Sequence, residues 1–336
     1  MYFSRLLIVP FAISISVAAR ATLLFGSFPQ NINPSADDRN HVSLPPNENE
    51  AQEISLYRNA HSYIDEPLSQ LKGIVPDLNG LKPADNPQPL LDLLTKVASR
   101  IYEFAEKVPN LISDEEVTES QWPALGTKKA ACLACPDLPI RQRVERYNYI
   151  ILARPAQDRH LVFEEHRTDR DGRPVPLSAA PRFRGFSLFW VIFSGSHQQE
   201  SRFRYLGQQK VDGRMMFVVA FAQVPGSVEN PARIAAAKAT VPMLLQGIAW
   251  IDVDDFHILR LHTDLLAPQP EIGYLKQTSD LRYRTVRITA LNVNLWVPRT
   301  VEVETDDTGE LWHEQHQYSK YRLYEAKSRI ILNPEN

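Results

Sequence analysis

Apolar residues recur with two different periods along this chain, and the change of period divides it. Ile54, Tyr57, His61, Ile64, Leu68 and Leu71 fall at three- and four-residue steps, the spacing of one helical face. Pro67 interrupts that run, so two short pieces are expected, 51–65 and 67–73. The second takes Pro67 as its first residue, where no backbone N–H is needed. His61 on this face reads as a partly buried helix residue, since no second ligand type stands at helical spacing from it. The stretch Pro76-Asp77-Leu78-Asn79-Gly80-Leu81-Lys82-Pro83 is a turn-rich linker. The strongest helix is predicted over 89–107, where Leu90, Leu94, Val97, Ile101 and Phe104 belong to a broad apolar stripe. Pro89 suits its first turn and Pro109 ends it.

After residue 110 the period falls to two, the signature of strands. Strands are predicted at 112–119, 143–153, 159–167, 201–209, 214–224, 243–253, 256–265, 278–289, 295–304, 310–318 and 321–332. Short turns such as Lys210-Val211-Asp212-Gly213, Asp254-Asp255 and Asp306-Asp307-Thr308-Gly309 make sequential neighbours antiparallel. A meander this long must curl to cover its apolar side. The expected class is therefore α+β: a long antiparallel meander curled into an unclosed barrel, covered by one main helix, with an N-terminal helical segment. Gly185–Ser196 is a second candidate plug, and its run Phe186–Phe193 fits a helix or a buried strand equally. The Ala-rich stretch Pro231–Thr240 reads as a short inserted helix.

The N-terminus changes where such a protein is expected to work. Arg5 supplies a positive start, Leu6–Ala18 an apolar core, and Ala19-Arg20-Ala21 a small-x-small cleavage pattern. Residues 1–21 read as a signal peptide, 22–50 as a Pro-rich disordered leader, 51–86 as helical segment and linker, and 87–333 as the sheet domain. No later stretch is long and apolar enough for a spanning helix, so the mature chain is expected to be periplasmic or secreted. A formal net charge of -3, with cations spread along the chain, offers no footprint for nucleic acid.

Candidate chemistry is thin. Cys132-Leu133-Ala134-Cys135 is the only cysteine pair; in an oxidising compartment a local disulfide is expected, with free thiols or a redox-active pair as alternatives. His313 and His316 stand three apart instead of the four that a zinc-protease helix requires, so no metal site is expected there. Asp254-Asp255 reads as turn chemistry, with Asp252 and His257 paired across its mouth. No cofactor, catalytic residue or metal ligand is assigned. Most strand aromatics read as core, and Phe203, Tyr205, Phe217, Trp250, Leu261 and Tyr283 are the candidate lining of an apolar pocket.

Two stretches carry a resemblance. Pro76 to Ala84, followed by the helix and Val108-Pro109-Asn110, resembles the N-terminal part of uncharacterised secreted bacterial proteins. Gly247-Ile248-Ala249-Trp250-Ile251-Asp252 with Ile258-Leu259-Arg260-Leu261 resembles their central hairpin and, more loosely, that of the periplasmic lipoprotein-carrier (outer-membrane lipoprotein-sorting) fold. The resemblance spans roughly 70–330 and implies an unclosed antiparallel barrel that holds an acyl chain or other hydrophobic ligand without catalysis. The N-terminal helical segment and the 125–142 cysteine loop depart from that pattern. The leading expectation is an extracytoplasmic carrier or sensor of a lipid or similar hydrophobic molecule. The rivals are an envelope hydrolase built on Asp252, His257 and His316, and an envelope scaffold docking through residues 51–73.

Overall fold

The computed structural model describes residues 54–84, 90–108, 110–122, 139–155, 161–176, 181, 186–228, 231–235, 240–307 and 309–324, with the pair 23–24. The expected signal peptide, nearly all of the expected leader, and Cys132 and Cys135 lie outside the described residues.

Among the described residues the chain runs through β1 (Leu23–Leu24), α1 (Leu68–Ile74), β2 (Lys82–Pro83), α2 (Leu90–Lys107), β3 (Leu111–Trp122), β4 (Arg141–Pro155) and β5 (Leu161–Thr168). It continues with β6 (Ser201–Val211), β7 (Arg214–Gln223), β8 (Ala232–Ala235), β9 (Thr240–Met243) and β10 (Leu245–Asp252). The last four are β11 (Ile258–Leu265), β12 (Tyr274–Ile288), β13 (Val293–Asp307) and β14 (Glu310–Leu323). One antiparallel sheet has the order β2-β6-β7-β10-β11-β12-β13-β14-β3-β4-β5, and a small sheet has the order β1-β8-β9.

The class is the expected one, a long antiparallel sheet curled but unclosed with one main helix; its order departs from a strictly sequential meander at one junction. β3–β4–β5 do not continue into β6; they join beside the last strand, β14, through pairs such as His316 with Val117 and Tyr318 with Glu115. β5 and β6, consecutive in sequence, stand at opposite ends of the sheet, with only the two-residue β2 outside β6. The unclosed seam of the curl is therefore the gap between them, and the chain passes from β5 to β6 through a connection of which 169–176, 181 and 186–200 are described. Within that connection Phe186–Phe193 is a 3₁₀ helix, neither a strand nor an α-helix. An eight-residue 3₁₀ run is unusually long for that geometry, so packing holds it, not its own hydrogen bonds.

Strand alternation gives the sheet two buried sides. On the inner one, α2 places Leu93, Leu94, Val97 and Ile101 against Val219, Ala249, Leu261, Leu281, Val301 and their neighbours. On the outer one, Tyr63, Leu71, Val75, Leu78 and Leu81 cover Met216, Val218, Ala220, Ile248 and Trp250. The N-terminal segment is thus part of the core and not a free docking arm. Among its described residues Ile54–Leu56, α1 and a 3₁₀ turn at Pro76–Leu78 are helical; turns occupy most of 57–66, Pro67 is the residue before α1, and His61 is exposed instead of partly buried.

Three further local differences have physical causes. The Ala-rich stretch forms β8 and β9, not a helix, because pairing of Ala232 with Met243 and of Ile234 with Val241 overrides helix propensity. The two last predicted strands are one, kinked between Ser319 and Arg322 where Lys320 takes φ 52°; its described part ends at Leu323. Gly247 is obligatory in β10: a Cβ there would meet the His262 carbonyl oxygen at 2.0 Å and the Phe221 ring at 2.8 Å. Its absence lets Phe221 lie across the strand.

Candidate functional site

The inner side is apolar at one end and charged at the other. At the apolar end the rings of Phe203, Tyr205, Phe217 and Phe256 are half-buried, although Val219, Phe221 and Ala249 beside them are wholly buried. Tyr205 and Phe217 meet at 6.1 Å between centroids, Phe217 and Phe256 stack at 6.2 Å, and Phe193 approaches Phe203 at 5.2 Å. Lys96 of α2 holds its Nζ 4.9 Å from the Phe256 centroid, a cation over a ring at the edge of the apolar row. Further along, Phe104, Trp190, Trp296 and Tyr283 pack edge-on or tilted, closest at 4.4 Å between Tyr283 and Trp296.

Of the six candidate lining residues, Phe203, Tyr205, Phe217, Leu261 and Tyr283 belong to this inner cluster. Trp250 does not. It faces the outer side, fully buried, donating Nε1–H to Gln209 Oε1 at 3.0 Å under the Arg260 guanidinium.

The charged end occupies β14, β3, β4 and β5, where an apolar hollow was expected. Glu115, wholly buried, accepts from Arg167 Nε at 2.6 Å and Nη2 at 2.8 Å, a two-point fork across the sheet. His316, equally buried, meets Glu115 Oε1 through Nδ1 at 2.9 Å and Glu314 Oε2 through Nε2 at 3.3 Å. Glu314 stands opposite Glu119 across the strand pair, and Arg143 Nε reaches Glu119 Oε1 at 3.0 Å. Tyr147 closes the edge by donating its hydroxyl to Glu145 at 2.7 Å.

Burial raises the Glu115 carboxyl, but the Arg167 charge and the hydrogen bonds from His316 and Arg167 outweigh it and hold the group at about 2. Burial lowers the His316 imidazole, yet hydrogen bonds to Glu115 and Glu314 bring it above its ordinary range. Burial raises Glu119, and Glu314 raises it further. These signs fix a pH response. The Glu115 contribution is complete above the ordinary glutamate value of 4.5 and is lost as pH falls toward about 2. The His316 contribution is complete below the ordinary imidazole value of 6.5 and is lost as pH rises through the raised one. Urea unfolding as a function of pH should show the acid fall in the native chain and a shallower one in Glu115→Gln; an equal slope in both would refute the assignment.

The residues of the hydrolase reading are not brought together. Asp252 and His257 flank the β10–β11 turn: Asp252 Oδ1 accepts from the backbone of Asp254 and Asp255 at 2.9 and 3.3 Å, and its Oδ2 pairs with Arg214 at 2.6 Å. His257 stacks on Trp296 at 5.8 Å. His316 lies four strands away, about 19 Å along the sheet at the usual strand spacing. No group of three or more His, Cys, Asp or Glu among the described residues is placed to hold a metal, and no described helix is long and apolar enough to cross a membrane.

Sequence reasoning passed over Glu115, Glu119, Arg143, Arg167 and Glu314 because charged residues in an alternating strand read as its solvent side. One signal was present: in β14 the same alternation sets Glu314 and His316 between Trp312 and Tyr318, two large aromatics that call for cover.

No family model matches the chain, and no curated protein does. Among solved structures, a DUF1329 family protein from Desulfovibrio piger is similar at 12% identity and a TM-score of 0.38, covering 71% of this chain and 95% of its own. An outer membrane lipoprotein-sorting protein domain from Vibrio parahaemolyticus is similar at 12% identity and a TM-score of 0.36, covering 68% of this chain and 90% of its own.

Proposed function

We propose that the protein is an extracytoplasmic binding protein, a carrier or sensor without catalysis, that takes a hydrophobic ligand such as a lipid acyl chain on the inner side of its sheet. Residues 1–21 are removed on export in this reading, and the mature chain works in the periplasm or outside the cell. The observation that carries it is the row Phe203, Tyr205, Phe217 and Phe256, four large rings left half-open beside α2 in a sheet whose adjoining positions are closed. Apolar rings held partly in water are unfavourable by roughly 25 cal/mol for each Å² exposed, a cost that an acyl chain laid over them removes.

A dansyl-labelled fatty acid added to the purified protein should bind saturably, with a blue-shifted emission, and be displaced by unlabelled lipid. Phe217→Ala should weaken it about tenfold, or about 1.4 kcal/mol. Leu91→Ala, on the exposed side of α2, should leave it unchanged. Absence of saturable uptake, with no lipid retained in native mass spectrometry, would overturn the reading.

A further inference from the structure

Between the aromatic row and the charged network the inner side carries a third kind of surface. In register across the sheet stand Phe203, Phe221, Gly247, Thr263, Ser279, Val303, Glu314, Glu119 and Arg143, one on each of nine neighbouring strands. Gln277 and Thr305, directly opposite each other on β12 and β13, lie one position further along the same side. Polarity thus changes in steps from rings, through hydroxyl and amide groups, to paired charges.

The middle of that series is incomplete. Gln277, Ser279 and Thr305 are each no more than 1% exposed, yet Gln277 Nε2, Ser279 Oγ and Thr305 Oγ1 have no hydrogen-bond partner. Buried polar atoms are nearly always satisfied, and each one left open carries its full desolvation penalty. Three on one side of two adjacent strands form one cluster of unpaired polar atoms, which an oxygen-bearing group could satisfy. The amide is already oriented, because Tyr274 donates its hydroxyl to Gln277 Oε1 at 2.6 Å, which leaves Nε2 as the free donor.

Resting on the function proposed above, we infer that this patch receives the polar end of the ligand, and that the ligand is an uncharged amphiphile with ester or hydroxyl oxygens, of the acylglycerol class. Gln277 Nε2 requires an acceptor, and the two hydroxyls donate or accept, a set matched by ester carbonyls and alcohol groups. A free carboxylate fits poorly. Arg167 is committed to Glu115 and Arg143 to Glu119 and Glu145, while the Glu119–Glu314 pair lies one to three strands from Thr305 and Ser279. An anion there faces the Glu119–Glu314 pair first, while the cations nearest this side, Arg284 and Lys96, stand further off at Tyr318 and Phe256. The tail then extends along the row toward Phe221 and Phe203. Because the patch is closed in the unligated chain, its cover must part for the head to enter.

Calorimetric titration of the purified, delipidated chain with monoolein and with oleate at neutral pH tests this. Monoolein should bind about tenfold tighter, and Ser279→Ala/Thr305→Val should remove most of that difference while oleate affinity stays as it was. The unligated double variant should melt no lower than the native chain, since two unpartnered hydroxyls have been taken out; if it fails to fold, Ser279→Ala alone carries the comparison. Oleate binding as tightly as monoolein, or a preference unaltered by the substitutions, would overturn the inference and leave the function standing. Failure of both lipids and of the dansyl probe to bind would overturn the function and the inference with it.

Discussion

Arg167→Ala should destabilise the protein by about 3–5 kcal/mol, enough to take a typical domain close to unfolding. The reason is geometric. Arg167 is the two-point partner of a carboxylate with no exposure, and shortening it strands the Glu115 charge inside the sheet with His316 alone beside it. Replacing both partners by apolar residues of similar volume, as in Glu115→Leu/Arg167→Met, should recover most of the loss, because a buried pair contributes little against a well-packed apolar substitute. Urea unfolding of the two variants distinguishes this account from a general intolerance of β5. If the double variant is as unstable as the single one, the charge argument fails.

The second large effect is expected on the opposite side of the sheet. Trp250→Ala should cost about 3–5 kcal/mol, the usual range for removing a buried indole. More than volume is lost. Gln209 accepts the indole N–H with its oxygen while its amide nitrogen donates to the carbonyls of Asp77 and Asn79 at 2.7 and 3.1 Å. Trp250 therefore holds, through one side chain, the turn that brings the N-terminal segment across the sheet. Trp250→Phe keeps most of the packing but leaves that acceptor unpaired, and it should lie between the native chain and the alanine variant in thermal melting. Limited proteolysis should cut residues 54–81 earlier in both variants; a melting loss without earlier cleavage would show that Trp250 acts through packing alone.

Much of the architecture was legible because it is local. The stripe from Leu90 to Phe104 gives α2 nearly to the residue, and alternation gives every strand of the large sheet except β2 within a few positions of its ends, with β14 split in two. Pairing between distant segments was not legible. Nothing in Leu111–Trp122 announces Glu310–Leu323 as its neighbour, since register is set by side chains that meet only after folding. The same blindness hid the charged end of the site: Glu115 and Arg167 are 52 positions apart and belong to strands that do not touch each other directly. The Ala-rich stretch before Met243 failed for the opposite reason, because its strong local preference gave way to partners found elsewhere.

The union of β3 with β14 also dictates an order of assembly. As the nascent chain emerges, β3, β4 and β5 are available early as a hairpin pair, but one flank of β3 has nothing to bond until β14 is made, after all the other strands of the sheet. During that interval the flank is an open template for other chains, a recognised hazard of slow, long-range pairing. Loss of Glu310–Leu323 would therefore leave a sticky remnant and not merely a smaller sheet.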